Sequence, residues 1–375
     1  DAYYVVAVVS HAGGRYSDIK THHDGTLEHS VEIHSSWGAF EWLLQDAFEM
    51  SYRVGITANG DGHRGRPGVV YPGTSKFGTL GGLTCYLAPE LTRKAIFKAI
   101  KSRHHYATTG ERIYLNVQGN LNFEGRRYER DPSVYPEHLH ASQPCHVAQM
   151  GDIIQVPTSL GNKIEFSLET EIHANGPIER IEIFNGLERV ELVRPYLDDN
   201  ENKMPSEEDY RRIRITWGGA EFRARRRNVH WEGTIKISDN EIESTHEFNF
   251  WNVDASLHLE SPHEVSWNTM TSGNFQGFDA ILSDEKEGYL IFKSNQINFK
   301  VPVSSITKKA AHFDAGGLDK KVSLCRLPNH NPYNSYHVRR NYRLNPSKER
   351  DERYYVRITL ENGHQAWSSP IYFIA

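Results

Sequence analysis

The chain has few cysteines and no long apolar run. Its 375 residues include three cysteines, Cys85, Cys145 and Cys325, and no two of them have the CxxC spacing. Widely separated cysteines argue against a zinc ribbon and against a disulfide-stabilised scaffold. No apolar run approaches the roughly 18 residues that a membrane-spanning helix needs. We therefore expect no membrane span in this chain.

An excess of positive charge is also missing. Lys and Arg total 43 and Asp and Glu total 48, which gives a formal net charge of -5. Without a basic surplus there is no overall field to attract a phosphate backbone, so nucleic acid is not the expected partner. The mean hydropathy of -0.62 is polar for a globular protein. At a prior of roughly 150 residues per domain, the length predicts two or three domains.

The first residues, Asp-Ala-Tyr-Tyr, include neither an initiator Met nor the charged and apolar regions of a signal peptide. This start indicates that an upstream segment has been removed. Any targeting signal would lie there, so the compartment stays open. The polar, strand-rich second half and the absence of clustered thiols favour a periplasmic or secreted protein.

Residues 1–115 have the pattern of an α/β region. Residues 4–9 are apolar and β-branched, which is typical of a strand buried on both faces of a parallel sheet. The helix predicted near residue 93 has Thr92 as its N-cap. Apolar runs predict two more strands, at 31–33 and 53–58. Helical spacing of apolar residues predicts two helices, at 37–50 and 93–102. Alternating strands and helices imply an α/β domain.

Residues 116–375 have a different pattern, in which apolar and polar residues alternate. The stretch 163–172 is one example, and alternation with period two predicts strands that are buried on one face. Asn185-Gly186 and Asn362-Gly363 have the composition of tight turns, and the second predicts a hairpin near the end of the chain. We therefore expect an antiparallel β-sandwich.

Residue types that bind metals follow two of the predicted strands. His11 comes after the first strand, and Asp61-Gly62-His63 lies just beyond the strand at 53–58. In α/β barrels the carboxyl ends of the strands share one rim, so His11, Asp61 and His63 are expected to converge. Such a mixture of imidazole and carboxylate suits zinc, manganese or iron. The alternative is a polar turn in which Asp61 caps backbone amides.

Arginines and histidines near this rim are candidates for substrate binding. Arg15, Arg64 and Arg66 lie in glycine-rich loops, where a guanidinium group could bind phosphate oxygens with two hydrogen bonds. His22 and His23 could position the substrate or transfer a proton. For all five residues the alternative is an ordinary surface side chain.

Two further polar groups have simpler interpretations. Glu32 and His34 could both point from their strand towards the metal-binding residues, but structural hydrogen bonding is the favoured role. The basic run at 223–227 favours a cross-strand ion-pair ladder over a nucleic-acid site, because the chain as a whole is negative.

Several short motifs, taken together, carry a family resemblance. They are Ser10-His11-Ala12-Gly13-Gly14, Asp61-Gly62-His63, and the strings at 81–84, 91–93, 106–113, 355–357 and 366–371. Jointly they resemble the DUF3604 group, a set of uncharacterised proteins in the PHP (polymerase and histidinol phosphatase) superfamily.

The resemblance implies a cluster of up to three divalent metal ions, zinc, manganese or iron. Asp61 would bind the first ion, His11 the second and His63 the third. PHP domains begin with a His-x-His motif and further ligands, and none of these precedes His11 here. Either the N-terminal portion of the same protein, present as a separate chain, completes the site, or the chain lacks most of its metal ligands.

These observations predict an α/β plus all-β protein. Residues 1–115 would form the C-terminal part of a PHP-type (β/α) barrel, and residues 116–375 a β-sandwich domain. The expected activity is that of a metal-dependent hydrolase, a phosphoesterase that uses a metal-bound hydroxide against a small phosphate-containing substrate. Arg15 and Arg64 would stabilise developing charge, and His22 or His23 would protonate the leaving group. The alternative is a non-catalytic binding or structural protein whose β-sandwich recognises a glycan or a protein partner.

Overall fold

Strands dominate the structure, and helices are few and short. The computed structural model describes the following residues: 7–11, 18–62, 79–157, 164–198, 210–222, 227–284, 286–347 and 350–375. Within these ranges no helix has the length and apolar character needed to cross a membrane.

The elements before residue 200 form an α/β region followed by the first part of a large sheet. They are β1 (Val8–His11), β2 (Glu28–Ser35), β3 (Gly38–Ala39), α1 (Glu41–Glu49), β4 (Gly55–Ala58), β5 (Leu83–Tyr86), α2 (Arg93–Lys101), β6 (His105–Thr108), β7 (Tyr114–Tyr128), β8 (Ser142–Gln149), β9 (Ile153–Gln155), β10 (Glu165–His173), β11 (Ile178–Asn185), β12 (Glu188–Val193) and α3 (Pro195–Asp198). A short 3-10 helix, Glu137–Leu139, lies between β7 and β8.

The elements after residue 200 are strands and one 3-10 helix, Val303–Ser305. The strands are β13 (Arg212–Ala220), β14 (Val229–Ser238), β15 (Ile242–Phe248), β16 (Ser256–Ser261), β17 (Glu264–Thr271), β18 (Phe275–Leu282), β19 (Tyr289–Ser294), β20 (Asn298–Pro302), β21 (Ala311–Asp314), β22 (Leu318–Leu327), β23 (Ser335–Arg343), β24 (Glu352–Leu360), β25 (Gln365–Ser368) and β26 (Ile371–Ile374).

The α/β region is a small sheet with β2 at its centre. β1 and β4 both pair with β2 in parallel, and β3 pairs antiparallel with the end of β2. Helix α1 buries Leu43, Leu44 and Ala47. These side chains join a hydrophobic core that also includes Trp367 and Tyr372 of the large sheet. The α/β region is therefore anchored on the large sheet.

The large sheet contains the strands β5 to β12 and β23 to β26. Its main path runs β23-β10-β7-β9-β26-β24-β25-β6-β5, while β8 pairs with β7, and β11 links β24 to β12. One hydrophobic core contains side chains from β7, β10, β11, β24 and β26, among them Val117, Phe166, Ile183, Val356 and Phe373. The sheet thus contributes to this core as well as to the core that it shares with the α/β region.

A β-sandwich is inserted between β12 and β23. One sheet has the order β15-β18-β13-β22-β21 and the other β16-β17-β14-β19-β20. Their facing side chains form a core that includes Trp217 and Phe278 from the first sheet and Trp231 and Trp267 from the second. The indole groups of Trp217 and Trp231 donate to the hydroxyls of Thr269 and Thr271. The insertion therefore has its own hydrophobic core.

The predicted PHP-type (β/α) barrel is wrong. The parallel strands β1, β2 and β4 form an open sheet, and no sheet in the described ranges closes into a barrel. The segment β5-α2-β6, which was expected to continue the α/β pattern, connects two antiparallel strands. β6 pairs with β5 on one side and with β25 on the other, so its backbone groups are already used within the large sheet. The strand-rich pattern after residue 115 is consistent with the observed structure.

Candidate functional site

Polar side chains from three neighbouring strands meet at the carboxyl ends of β1, β2 and β4. His11 is the last residue of β1 and is in register with Glu32 of β2. β4 ends at Ala58, and the chain then passes through Asn59 to Asp61. Because parallel strands end at the same edge of a sheet, residues far apart in sequence come together here.

The His11 ring lies between two carboxylates. Its Nδ1 is 2.5 Å from Oε1 of Glu32, and its Nε2 is 3.2 Å from Oδ2 of Asp61. The other oxygen of Glu32 accepts a hydrogen bond from the Asn59 amide at 2.5 Å. The Glu32 side chain is 6% exposed and that of His11 is 37% exposed, so the cluster opens to solvent on the His11 side.

The two carboxylates make this position strongly favourable for positive charge. Hydrogen bonding to Asp61 and then to Glu32 outweighs burial and raises the pKa of His11 to about 10. The two carboxylates therefore favour the protonated, positively charged form of the His11 ring.

Local backbone geometry presents Asp61 to this cluster. Asp61 has a φ of +45°, a left-handed conformation that Asp adopts more readily than most residues. The Ser36 hydroxyl donates to the Asp61 carbonyl oxygen at 3.0 Å. The backbone N–H of Asn59 donates to the His34 carbonyl oxygen at 3.0 Å. These bonds hold the segment after β4 against the end of β2.

The inserted sandwich contributes Arg227 near this edge. Its guanidinium lies over the Phe40 ring at 4.5 Å, and its Nε donates to the Ser272 hydroxyl at 3.1 Å. Burial lowers the pKa of Arg227, and the negative charge of Asp61 opposes that effect. An arginine far along the chain thus acts electrostatically on the cluster.

The sequence-predicted metal ligands are partly brought together. His11 and Asp61 are adjacent, whereas His63 lies outside the described residues. Across the described ranges, no group of three or more His, Cys, Asp or Glu side chains has an arrangement that could hold a metal ion. The described part of the cluster thus consists of the His11 ring between the carboxylates of Asp61 and Glu32.

Of the sequence-predicted substrate-binding residues, the two that the structure describes, His22 and His23, lie away from this cluster. His22 is exposed. His23 lies at the amino-terminal end of β2, where its Nδ1 is 3.0 Å from Glu28 and its ring stacks on Tyr52 at 4.0 Å. Glu28 and Glu32 are four residue steps apart along β2, which is about 13 Å. Arg15, Arg64 and Arg66 lie outside the described residues.

Sequence reasoning gave Glu32 and Arg227 other roles. Glu32 was expected to form structural hydrogen bonds, and it does so, but its partner is the His11 ring itself. The feature that indicates this contact is the position of Glu32 on β2, directly opposite His11 at the end of β1. Arg227 is the last residue of the basic run at 223–227, which was assigned to a cross-strand ion-pair ladder because the chain as a whole is negative. Only the tertiary docking of the sandwich reveals its position.

Comparison with known proteins gives one family match. Residues 52–186 match the model of DUF3604, described as a protein of unknown function. The DUF3604 match contains Asn59 and Asp61, while His11 and Glu32 precede it and Arg227 follows it. No curated protein and no solved structure matches the chain. The expected DUF3604 resemblance is thus confirmed for this segment.

Proposed function

We propose that this protein is a metal-dependent hydrolase, of the kind found in the PHP superfamily, with its centre at the carboxyl ends of β1, β2 and β4. The observation that carries the proposal is the Glu32–His11–Asp61 arrangement, in which one imidazole is placed between two carboxylates. A divalent cation would satisfy the same demand for positive charge that the protonated ring meets here.

The geometry suits two ligands on one ion. Two ligand atoms bound tetrahedrally at about 2.0–2.1 Å from zinc lie roughly 3.3–3.4 Å apart. The distance from His11 Nε2 to Asp61 Oδ2 is 3.2 Å. Glu32 at Nδ1 matches the carboxylate that orients a metal-binding histidine in many proteins. His11 and Asp61 would therefore hold the ion, and Glu32 would fix the ring.

The substrate class that best suits this site is a phosphoester. A bound zinc, manganese or iron ion would supply Lewis-acid activation of water and neutralise substrate charge. Arg227 adds a buried positive charge from the sandwich side, where an anionic substrate group would be stabilised. Asn59 and Glu32 would keep His11 in one orientation throughout the reaction. Further metal ligands are required, and His63 stays the predicted one.

The test measures metal binding separately from activity. Purified full chain is stripped with a chelator, and zinc and manganese are titrated back by calorimetry. We expect His11→Ala and Asp61→Asn to lose most of the binding and Glu32→Gln to weaken it about 10- to 100-fold. His173→Ala is the matched control, because that exposed histidine also pairs with a glutamate, Glu171.

Hydrolysis of p-nitrophenyl phosphate by the metal-loaded chain is the second measurement. We expect activity to fall in parallel with metal binding, and Arg227→Gln to reduce activity while the metal affinity is retained. Equal metal affinity in the wild-type chain and the His11→Ala variant would contradict the assignment of the metal site. Full metal binding with no hydrolysis of phosphoesters would contradict the proposed reaction.

A further inference from the structure

A cavity lies away from the His11 cluster, between helix α2 and the strands β7 and β8. Its volume is about 740 Å³, which is within the range of small-molecule sites. His29, near the amino-terminal end of β2, contributes to its wall. The cavity is therefore at the opposite end of β2 from the carboxyl-terminal cluster.

Basic side chains from two elements face this cavity. Lys94, Lys98 and Lys101 have the i, i+4, i+7 spacing that places them on one face of α2. Arg127 and Arg130 come from the end of β7 and the segment after it, and they line the same cavity. The two walls therefore carry charge of the same sign.

The acidic side chains at the cavity are fewer and partly neutralised. They are Glu90, Glu129, Asp131 and Asp152. Asp131 pairs with Arg53 at 2.5 Å, and Asp152 pairs with His104 at 2.8 Å. Arg127 is 3.6 Å from Asp152. In the described ranges no carboxylate lies within ion-pair distance of the remaining cations, which are Lys94, Lys98, Lys101 and Arg130.

The cations at this cavity affect one another and a buried imidazole. Burial lowers the pKa of Lys101, and the charge of Arg130 lowers it further. Burial together with the charges of Arg103 and Lys101 lowers the pKa of His29 to about 4. The Nε2 atom of His29 is buried and has no hydrogen-bond partner among the described residues. The cavity thus combines several cations outside ion-pair distance of a carboxylate with a lining histidine, His29, that is neutral.

Aromatic rings stand beside these charges. Lys101 Nζ lies 5.0 Å from the centre of the Phe97 ring, and the Arg130 guanidinium lies 5.1 Å from the centre of the Tyr135 ring. Lysine ammonium groups bind phosphate as point charges, and aromatic rings offer apolar surface to an organic group. Together the two features suit a small organic phosphate.

We propose that the cavity between α2 and β7 is a binding site for a phosphorylated small molecule. The lysine face of α2 and Arg130 hold the phosphate, and Phe97 and Tyr135 contact the organic part. This site does not depend on the proposed hydrolase centre. A volume of this size favours a small molecule over a polymer.

The experiment is calorimetric titration of the metal-free full chain, with chelator present so that the His11 cluster cannot recruit phosphate through a metal. The probes are ribose 5-phosphate, inorganic phosphate and acetate at constant ionic strength. We expect ribose 5-phosphate to bind more tightly than inorganic phosphate, and acetate not to bind. Stronger binding of inorganic phosphate would assign the site to the free ion and overturn the organic ligand.

The diagnostic variant is Lys98→Glu with Arg130→Glu, which reverses one exposed charge on each wall. We expect it to weaken ribose 5-phosphate binding about tenfold or more. The matched control is Lys308→Glu with Lys309→Glu, an equal change in net charge at a different basic cavity on the sandwich. Glutamine variants of Lys98 and Arg130 repeat the test without adding negative charge.

Equal loss of binding in the Lys308 and Lys309 control would show that only net charge matters and would overturn the site. Tighter binding of a single-stranded oligonucleotide than of ribose 5-phosphate, abolished by the same Lys98 and Arg130 variant, would overturn the small-molecule assignment. Because metal is absent, none of these outcomes depends on the hydrolase proposal.

Discussion

At the residue scale, the buried histidines behave in the opposite way to His11. Burial lowers the pKa of His34 to about 4 and that of His105 to about 3. The Nε2–H group of His34 donates to the Leu80 carbonyl oxygen at 2.7 Å, and His105 Nε2 is 3.0 Å from the Ser30 hydroxyl. Both rings are therefore neutral in the folded protein at neutral pH.

These neutral rings predict acid sensitivity. Below the ordinary histidine pKa of about 6.5, the unfolded chain binds protons that the folded protein does not bind. The free energy of unfolding should therefore fall as the pH is lowered from 6.5 towards 4. For one imidazole the loss at pH 5 is about 2 kcal/mol. Urea unfolding at pH 7 and pH 5 measures it.

The variant His34→Gln isolates one contribution to this acid sensitivity. Glutamine keeps an amide donor for the Leu80 carbonyl oxygen but cannot take up a proton in this pH range. We expect a smaller difference in unfolding free energy between pH 7 and pH 5 than in the wild-type chain. The exposed His173→Gln serves as the control, and an equal change in both variants would refute the assignment to burial.

At the element scale, buried ion pairs join the inserted sandwich to the large sheet. Arg214 of β13 contacts Glu179 of β11 at 2.6 Å and Asp279 of β18 at 2.7 Å. Arg212 pairs with Asp279 and with Glu361, which directly follows β24. Both arginines are buried. The network therefore links strands that belong to different hydrophobic cores.

Replacing one member of this network should be costly. In Arg214→Met, the carboxylates of Glu179 and Asp279 both lose their ion pair with Arg214, and both stay buried. We expect a loss of about 3–5 kcal/mol in unfolding free energy. The more exposed pair of Arg343 and Glu165 supplies the control, since Arg343→Met should change stability by no more than about 0.5 kcal/mol. A similar loss in both variants would show that burial does not decide the effect.

Several individual elements follow directly from local sequence. The predicted helices correspond to α1 and α2, and the Thr92 hydroxyl accepts from the Ala95 N–H at 3.2 Å as an N-cap. Gly186 and Gly363 have positive φ in the turns that follow β11 and β24. These predictions succeed because helical spacing, capping and turn chemistry depend on residues a few positions apart.

The partners of each strand could not be predicted in the same way. β5 and β6 flank the predicted helix α2, yet they pair antiparallel with each other, and β25 joins β6 from the far end of the chain. At the candidate site, the approach of His11 and Asp61 was predicted because each follows a predicted parallel strand, and such strands end at the same edge. The contribution of Arg227 did not, because it depends on how the sandwich docks.

At the scale of the whole molecule, the sandwich is a nearly complete domain within another domain. Its core draws only on residues between β13 and the strand β22, including the stacked rings of Trp217 and Trp267 at 4.9 Å. The host sheet, in contrast, takes strands from both sides of the insertion.

We predict that a fragment of residues 210–330 folds alone, since its core needs no side chain from the host. It should unfold cooperatively by tryptophan fluorescence, with a lower melting temperature than the same transition in the full chain, because its ion pairs to Glu179 and Glu361 are lost. A fragment without a cooperative transition would contradict this prediction. Arg214→Met in the full chain should lower the melting temperature towards that of the fragment.

The interrupted host sheet has a consequence for synthesis on the ribosome. β10 and β11 pair on one side with β23 and β24, which are translated only after the whole sandwich. During that interval the sandwich can fold, whereas β10 and β11 keep open edges that invite pairing with other chains. The yield of native protein in a cell should thus depend on how quickly the ribosome translates about the last forty residues.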